Sequence, residues 1–242
     1  MVVRPNAPAL TGRVLSAQRW TNLTFLHWPV QPDSVRQFLP RGVSPDVLDG
    51  LTYVGLVPFQ MRKAGPPGRL SVPYFGDFCE TNVRLYSVDD EGRSGIVFRT
   101  LEANRLATVL LARGGLGLPY TWAKMRATHI GDLWRYESER RWPRSSGPCL
   151  GSRITVRVGE PTEPTDLEVW LTARWGLHTE LAGRTLWVPN NHGAWPLRSA
   201  EVVGLQDWLV TGVGVEVAGE MLRPLFSPGV RATFGLPSVL RS

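Results

Sequence analysis

The sequence predicts a β-rich α+β fold, a strongly curved sheet or barrel with a few short helices, in one domain. Three observations predict it. Twenty-five Gly and 20 Pro in 242 residues interrupt the chain too often for long helices. Short apolar–polar alternations are separated by turn signals such as Asp49-Gly50 and Asp89-Asp90-Glu91-Gly92. No repeat, low-complexity tract or shift in composition marks a second domain, and the length is ample for a real core.

The elements follow in order. Residues 1–12 read as a loose arm. Residues 17–30 mix aromatic and apolar positions and end in His27-Trp28-Pro29. Pro32 stands near the start of a short helix expected over Asp33–Leu39, which Pro40-Arg41-Gly42 ends. Asp49-Gly50 turns into a strand expected over Thr52–Met61. Residues 64–73, holding Gly65-Pro66-Pro67-Gly68, read as a loop. A strand over 78–88 follows, then a turn and a partner strand over Gly95–Leu101. Asn104 is placed to cap a helix over Arg105–Arg113, with Gly114-Gly115 ending it. Further strands are expected near 119–129, 132–141, 152–158, 184–189, 197–204 and 230–235. Residues 143–151 read as a second loop, and Asp166–Trp175 as a short helix from an acidic cap.

Composition excludes several classes of function. The net charge is +6, and Lys63 and Lys124 are the two lysines, leaving 25 of the 27 basic residues as arginine. Those arginines are scattered, whereas nucleic-acid binders cluster them on one element, so no nucleic-acid partner is expected. No apolar run reaches membrane-spanning length, so no membrane partner is expected. Cys79 and Cys149 form no motif, which suggests reduced thiols and a cytoplasmic location.

The most informative stretch is Phe78-Cys79-Glu80-Thr81-Asn82-Val83-Arg84-Leu85-Tyr86. On a strand, Glu80, Asn82 and Arg84 share one face, between Phe78 and Tyr86. That row either lines a polar pocket or is a solvated strand face.

Other motifs are weaker. Gly114-Gly115-Leu116-Gly117-Leu118-Pro119 lacks the Gly-Lys-Ser/Thr ending of a phosphate loop. No nucleophile elbow is present, and no Ser/His/Asp order stands out. His27, His129, His178 and His192 lie far apart without metal-ligand spacing, so no metal and no cofactor are expected. His192, in the polar turn Pro189–Pro196, is either a ligand-binding or a structural histidine. Arg174, between Trp170 and Trp175, either holds an anion or packs as a structural cation–π pair.

Ordered along the chain are Leu23-Thr24-Phe25-Leu26-His27-Trp28-Pro29-Val30, Val54-Gly55-Leu56-Val57-Pro58-Phe59, Glu80-Thr81-Asn82-Val83-Arg84, Leu118-Pro119-Tyr120 and Trp170-Leu171-Thr172-Ala173-Arg174-Trp175. This set resembles the bacterial DUF2071, or YqjF-like, family over roughly residues 17–205. That family in turn is similar in fold to acetoacetate decarboxylase. The resemblance implies a closed, mostly antiparallel β-barrel or cone, flanked by helices, with a ligand cavity inside. It implies that Glu80 matches a glutamate lining the decarboxylase active site. It also implies a departure. The decarboxylase motif Pro-Lys-Lys supplies an imine-forming lysine, and here the matching run is Pro119-Tyr120-Thr121. Neither side chain forms an imine. Lys124 lies about 13 Å further along a strand rising about 3.3 Å per residue.

Two readings follow. In the first, the pocket takes a small anionic, keto- or hydroxy-acid-like molecule without Schiff-base chemistry. Arg84 and Arg113 hold its carboxylate, Glu80 serves as acid or base, Tyr120 offers a hydroxyl, and Asn82, Arg174 and His192 complete the wall. Glu80 then titrates high unless Arg84 neutralises it. In the second, the Glu80/Asn82/Arg84 row is an internal ion-pair network in a structural or protein-interaction protein. A homo-oligomer is compatible with either.

Overall fold

The computed structural model describes residues 6–67, 76–144 and 149–240. Part of the expected arm (1–5) and parts of the two expected loops (68–73 and 145–148) lie outside the described residues.

Thirteen strands among the described residues join one sheet. They are β1 (Ser16–Val30), β2 (Val43–Pro45), β3 (Thr52–Gly65), β4 (Phe78–Asp89), β5 (Ser94–Ala103), β6 (Tyr120–Ile130) and β7 (Leu133–Trp142). After these come β8 (Gly151–Pro161), β9 (Gly176–Leu181), β10 (Arg184–His192), β11 (Arg198–Asp207), β12 (Leu225–Phe234) and β13 (Ser238–Val239). The order is β13-β10-β9-β5-β6-β7-β8-β11-β12-β1-β3-β4-β2. Two further pairings, β4 with β5 and β10 with β12, return the sheet on itself as a ring. Pairing is antiparallel except where β5 meets β6 and β9. The helices are short: α1 (Pro32–Val35), α2 (Leu106–Leu116), α3 (Asp166–Thr172) and α4 (Leu209–Gly212).

The mostly-β expectation holds, and the differences have local causes. β1 was not expected as a strand. Its centre, Leu23–His27, is buried at every position, so it shows no alternation. A bulge between Thr21 and Leu26, with Asn22 at φ 54°, also breaks its register. The expected helix over Asp33–Leu39 is only one α-turn, continued by a 3-10 turn at Arg36–Phe38.

Helix α2 also differs. Asn104 does not cap it; its side chain accepts the Cys79 N–H at 3.0 Å. The helix runs through Gly114-Gly115 and stops at Gly117, at φ 66°. A Cβ there would lie 2.0 Å from the Glu180 carbonyl, so both the turn and the packing on β9 require glycine. Helix α3 begins at a Thr165–Glu168 capping box and ends at Thr172, short of Trp175.

Three apolar clusters fill the interior. The first packs Leu26, Leu56, Leu85 and Ile154 under Leu209 of α4. The second gathers Leu23, Phe59, Leu101, Tyr120 and Leu225. The third holds Tyr53, Tyr86, Trp170 and Leu177. Each large buried side chain contributes about 1.5–3 kcal/mol. Among the described residues, no helix is long and apolar enough to cross a membrane.

Candidate functional site

Strand β4 lies between β3 and β5. Glu80 pairs with Phe59 and Ala103, Asn82 with Val57 and Leu101, and Arg84 with Gly55 and Phe98. A Cβ at Gly55 would approach the Arg84 Cγ to 3.2 Å, so the glycine leaves room for the arginine stem. Strand alternation turns Glu80, Asn82 and Arg84 to one side. They line a cavity of about 200 Å³ together with Tyr120 of β6 and Asn190 of β10. Most of the remaining wall is apolar, including Trp20, Phe59, Leu118, Trp195 and Phe234.

Glu80 is 3% exposed. Tyr120 donates to its Oε2 at 2.8 Å, and Asn82 Nδ2 donates a long 3.5 Å bond to its Oε1. Burial pushes the Glu80 carboxyl up to about 7 from its usual 4.5, against the opposing pull of those two bonds. No ion pair joins Glu80 to Arg84 or to any other cation among the described residues. The ion pair that the alternative reading places within this row is therefore not formed among the described residues. Burial and the neighbouring Glu80 hold the Tyr120 hydroxyl well above its usual pKa, so it acts as a donor.

Arg84 places its guanidinium 5.6 Å from the Phe25 ring and 5.8 Å from the Tyr86 ring. Its Nε and Nη2 are buried without a hydrogen-bond partner. Asn82 Oδ1 and Asn190 Oδ1 are buried without one as well. Four orphaned polar atoms, from three residues, thus meet on one cavity wall. Native interiors pair the large majority of such atoms, so their concentration here marks a built surface. Tyr86 donates to the Leu171 carbonyl at 3.0 Å and lies 2.7 Å from His27 Nε2. Burial, then Arg84 and Arg174, push the His27 pKa well down, which leaves that ring neutral.

Several expected site residues lie elsewhere. Arg113 does not line the cavity; it donates to the Tyr120 carbonyl at 2.7 Å and sits over Trp142. Arg174 does not line it either. It is 3% exposed, bonded to Asp46 and to the Trp170 carbonyl, and stacked 3.8 Å from Trp170 and 4.8 Å from Tyr86. Its guanidinium thus lies over both Trp170 and Tyr86. His192 packs behind the wall, 4.8 Å from the Trp195 ring and 5.8 Å from Trp20. Burial pushes its pKa down to about 4. Lys63 is exposed, and Lys124 lines a separate open groove of about 870 Å³ on β6, β7 and β8. Among its described lining residues the groove gathers one orphaned polar atom, Ser138 Oγ.

Sequence reasoning passed over three features. Asn190 lines the cavity, inside a run read only for His192. A Ser/His/Asp chain does assemble: Ser87 Oγ lies 2.9 Å from His178 Nδ1, and His178 Nε2 lies 3.1 Å from Asp89 Oδ2. Ser87 is fully buried, so the chain ties β9 to β4 and presents no nucleophile. Glu102 is likewise sealed against Arg140 and Thr100. No signal in the local sequence joins residues this far apart. Among the described residues, no cluster of His, Cys, Asp and Glu could hold a metal ion.

Comparison with known proteins gives a consistent frame. The model of the family DUF2071, an uncharacterized conserved protein, matches residues 17–231. The uncharacterized protein YqjF of Bacillus subtilis (strain 168) is 29% identical over 190 residues, covering 78% of each chain. Among solved structures, acetoacetate decarboxylase from Legionella pneumophila superposes with a TM-score of 0.66 at 14% identity, covering 97% of this chain and 92% of that one. The enduracididine biosynthesis enzyme MppR complexed with pyruvate superposes at 0.64 and 14%, covering 96% and 93%. At these identities the structural likeness shows the fold alone.

Proposed function

The chain belongs to the DUF2071 family, and we propose that its cavity binds a small carboxylate, keto- or hydroxy-acid-like, without imine chemistry. One observation carries this reading: the half-buried Arg84 holds two buried donors, Nε and Nη2, without a hydrogen-bond partner, and no acid pairs with it among the described residues. An uncompensated buried charge is costly, and a ligand carboxylate supplies both the missing charge and two acceptors. The ring of strands acts in this reading as a barrel closed around the ligand. A fold neighbour complexed with pyruvate supports a ligand of this class.

Glu80 gives the cavity a proton donor or acceptor near neutrality, because its carboxyl titrates at about 7. Tyr120 orients that carboxyl. The amine that acetoacetate decarboxylase chemistry needs is missing from the described lining, since Tyr120 stands there and both lysines lie elsewhere. The reading is tested by thermal shift with small carboxylates against the wild-type protein and Arg84→Met. Stabilisation of the wild type that is lost in the variant supports it. Equal responses from both proteins sink it.

A further inference from the structure

The orphaned atoms on the cavity wall are of two kinds. Arg84 Nε and Nη2 lie on one edge of the guanidinium, the side-on pair that meets both oxygens of a carboxylate. Asn82 Oδ1 and Asn190 Oδ1 are acceptors that lack a donor. The Asn82 amide is oriented by its own bond, in which Nδ2 reaches Glu80 Oε1 and Oδ1 is left facing away. A carboxylate answers Arg84 alone. A carbonyl beside that carboxylate is a further acceptor and leaves both amide oxygens unanswered. A hydroxyl beside it donates to one of them.

The volume adds a second constraint. About 200 Å³ is the liquid volume of about seven waters at about 30 Å³ each, more than a carboxylate and a hydroxyl fill. The surplus is bounded by Trp20, Phe59, Leu116, Leu118, Trp195 and Phe234. Such a wall favours an apolar group and gives nothing to a second charge.

We propose that the ligand is a 2-hydroxy carboxylate bearing an apolar, branched or aromatic, side chain. Its carboxylate sits on Arg84, its hydroxyl donates to Asn82 Oδ1, and its apolar body lies against the stacked Trp20 and Trp195 rings and Leu118. This rests on the reading of the cavity as a carboxylate site. A 2-amino acid fits less well. Its ammonium enters a wall whose charge is already the unpaired Arg84, and Glu80 is half neutral at pH 7.

Isothermal titration of the full chain at pH 7 with five probes tests this: 2-hydroxy-3-phenylpropanoate, phenylpyruvate, 3-phenylpropanoate, phenylalanine and lactate. The hydroxy acid binds about tenfold tighter than its deoxy, oxo and amino counterparts, because each leaves a buried acceptor unmet or adds a charge. It also binds about tenfold tighter than lactate, which lacks the apolar body. Asn82→Ala abolishes the hydroxy acid's tenfold advantage over 3-phenylpropanoate. Oxo, deoxy or amino acid binding as tightly as the hydroxy acid overturns the hydroxyl assignment, and lactate binding as tightly overturns the apolar body; in both cases the carboxylate reading stands. If no probe binds the wild type, the carboxylate reading falls as well.

Discussion

The Tyr120 hydroxyl of β6 donates a 2.8 Å hydrogen bond to Glu80 Oε2 of β4, a residue 40 positions earlier in the sequence. The donor is itself held far from ionisation by burial. The acceptor has no cation to stabilise its charge. The pair therefore holds a carboxyl at the edge of ionisation, fixed in direction by a group that cannot take its proton.

Glu80→Gln is expected to change stability in a pH-dependent way. With its pKa raised from 4.5 to about 7, the fold favours the neutral carboxyl. That contribution is full below pH 4.5, is lost as pH rises through 7, and is gone above it. The shift corresponds to about 3 kcal/mol. Glutamine fixes the neutral state, so the variant should melt about 5 °C or more above wild type at pH 8 and level with it at pH 4. Thermal melts at both values decide; a variant no more stable at pH 8 contradicts the assignment.

Tyr120→Phe should move the same transition upward. The lost bond is one of the two that lower the Glu80 pKa, so the carboxyl in the variant titrates above about 7. The pH at which stability declines should rise by about one unit. A downward shift in the pH–stability curve would count against the pairing.

Arg84→Met should leave the free protein as stable as wild type or more so, because it removes a half-buried cation that has two unpaired donors and no acid. The same change should abolish stabilisation by carboxylates. Melting temperatures with and without a 10-fold range of added carboxylate separate the two effects; a large destabilisation of the free protein would show that Arg84 is a structural prop.

Arg174 behaves oppositely. Asp46→Asn strands a guanidinium that is 3% exposed, at a cost of about 3–5 kcal/mol. Adding Arg174→Met should recover part of that loss. Urea denaturation of the two single variants and the double variant gives the coupling energy, and simple additivity would dissolve the pair as a stabilising unit.

Borohydride reduction in the presence of a keto acid should leave the intact mass unchanged, since Lys63 is exposed at a strand end and Lys124 lies on the separate groove. A stoichiometric adduct on either lysine would restore imine chemistry.

How much of this was legible follows residue spacing. The Glu80–Asn82–Arg84 row could be read because its three residues occupy alternate positions of one unbroken strand and so face one way. β1 could not, because the Asn22 bulge and burial on both faces erase the period. Arg174 was visible as a stacked arginine, but its acid lies 128 residues away, and only folding shows that the charge is already matched. Asn190 was hidden beside a histidine that drew attention for its chemistry, although the asparagine is the residue on the wall. Facing direction within one strand is local information; the partner across the ring is not.

Tyr86 lies between two guanidiniums, Arg84 at 5.8 Å and Arg174 at 4.8 Å, and only the second has a carboxylate. Around that one ring the interior holds two positive charges and one negative. On the proposed reading, an anion leaving Arg84 would re-create this imbalance, so occupants would trade places more readily than they vacate. Acetate and similar monoanionic buffer ions would then compete, and affinities measured in them would be exchange constants between two anions.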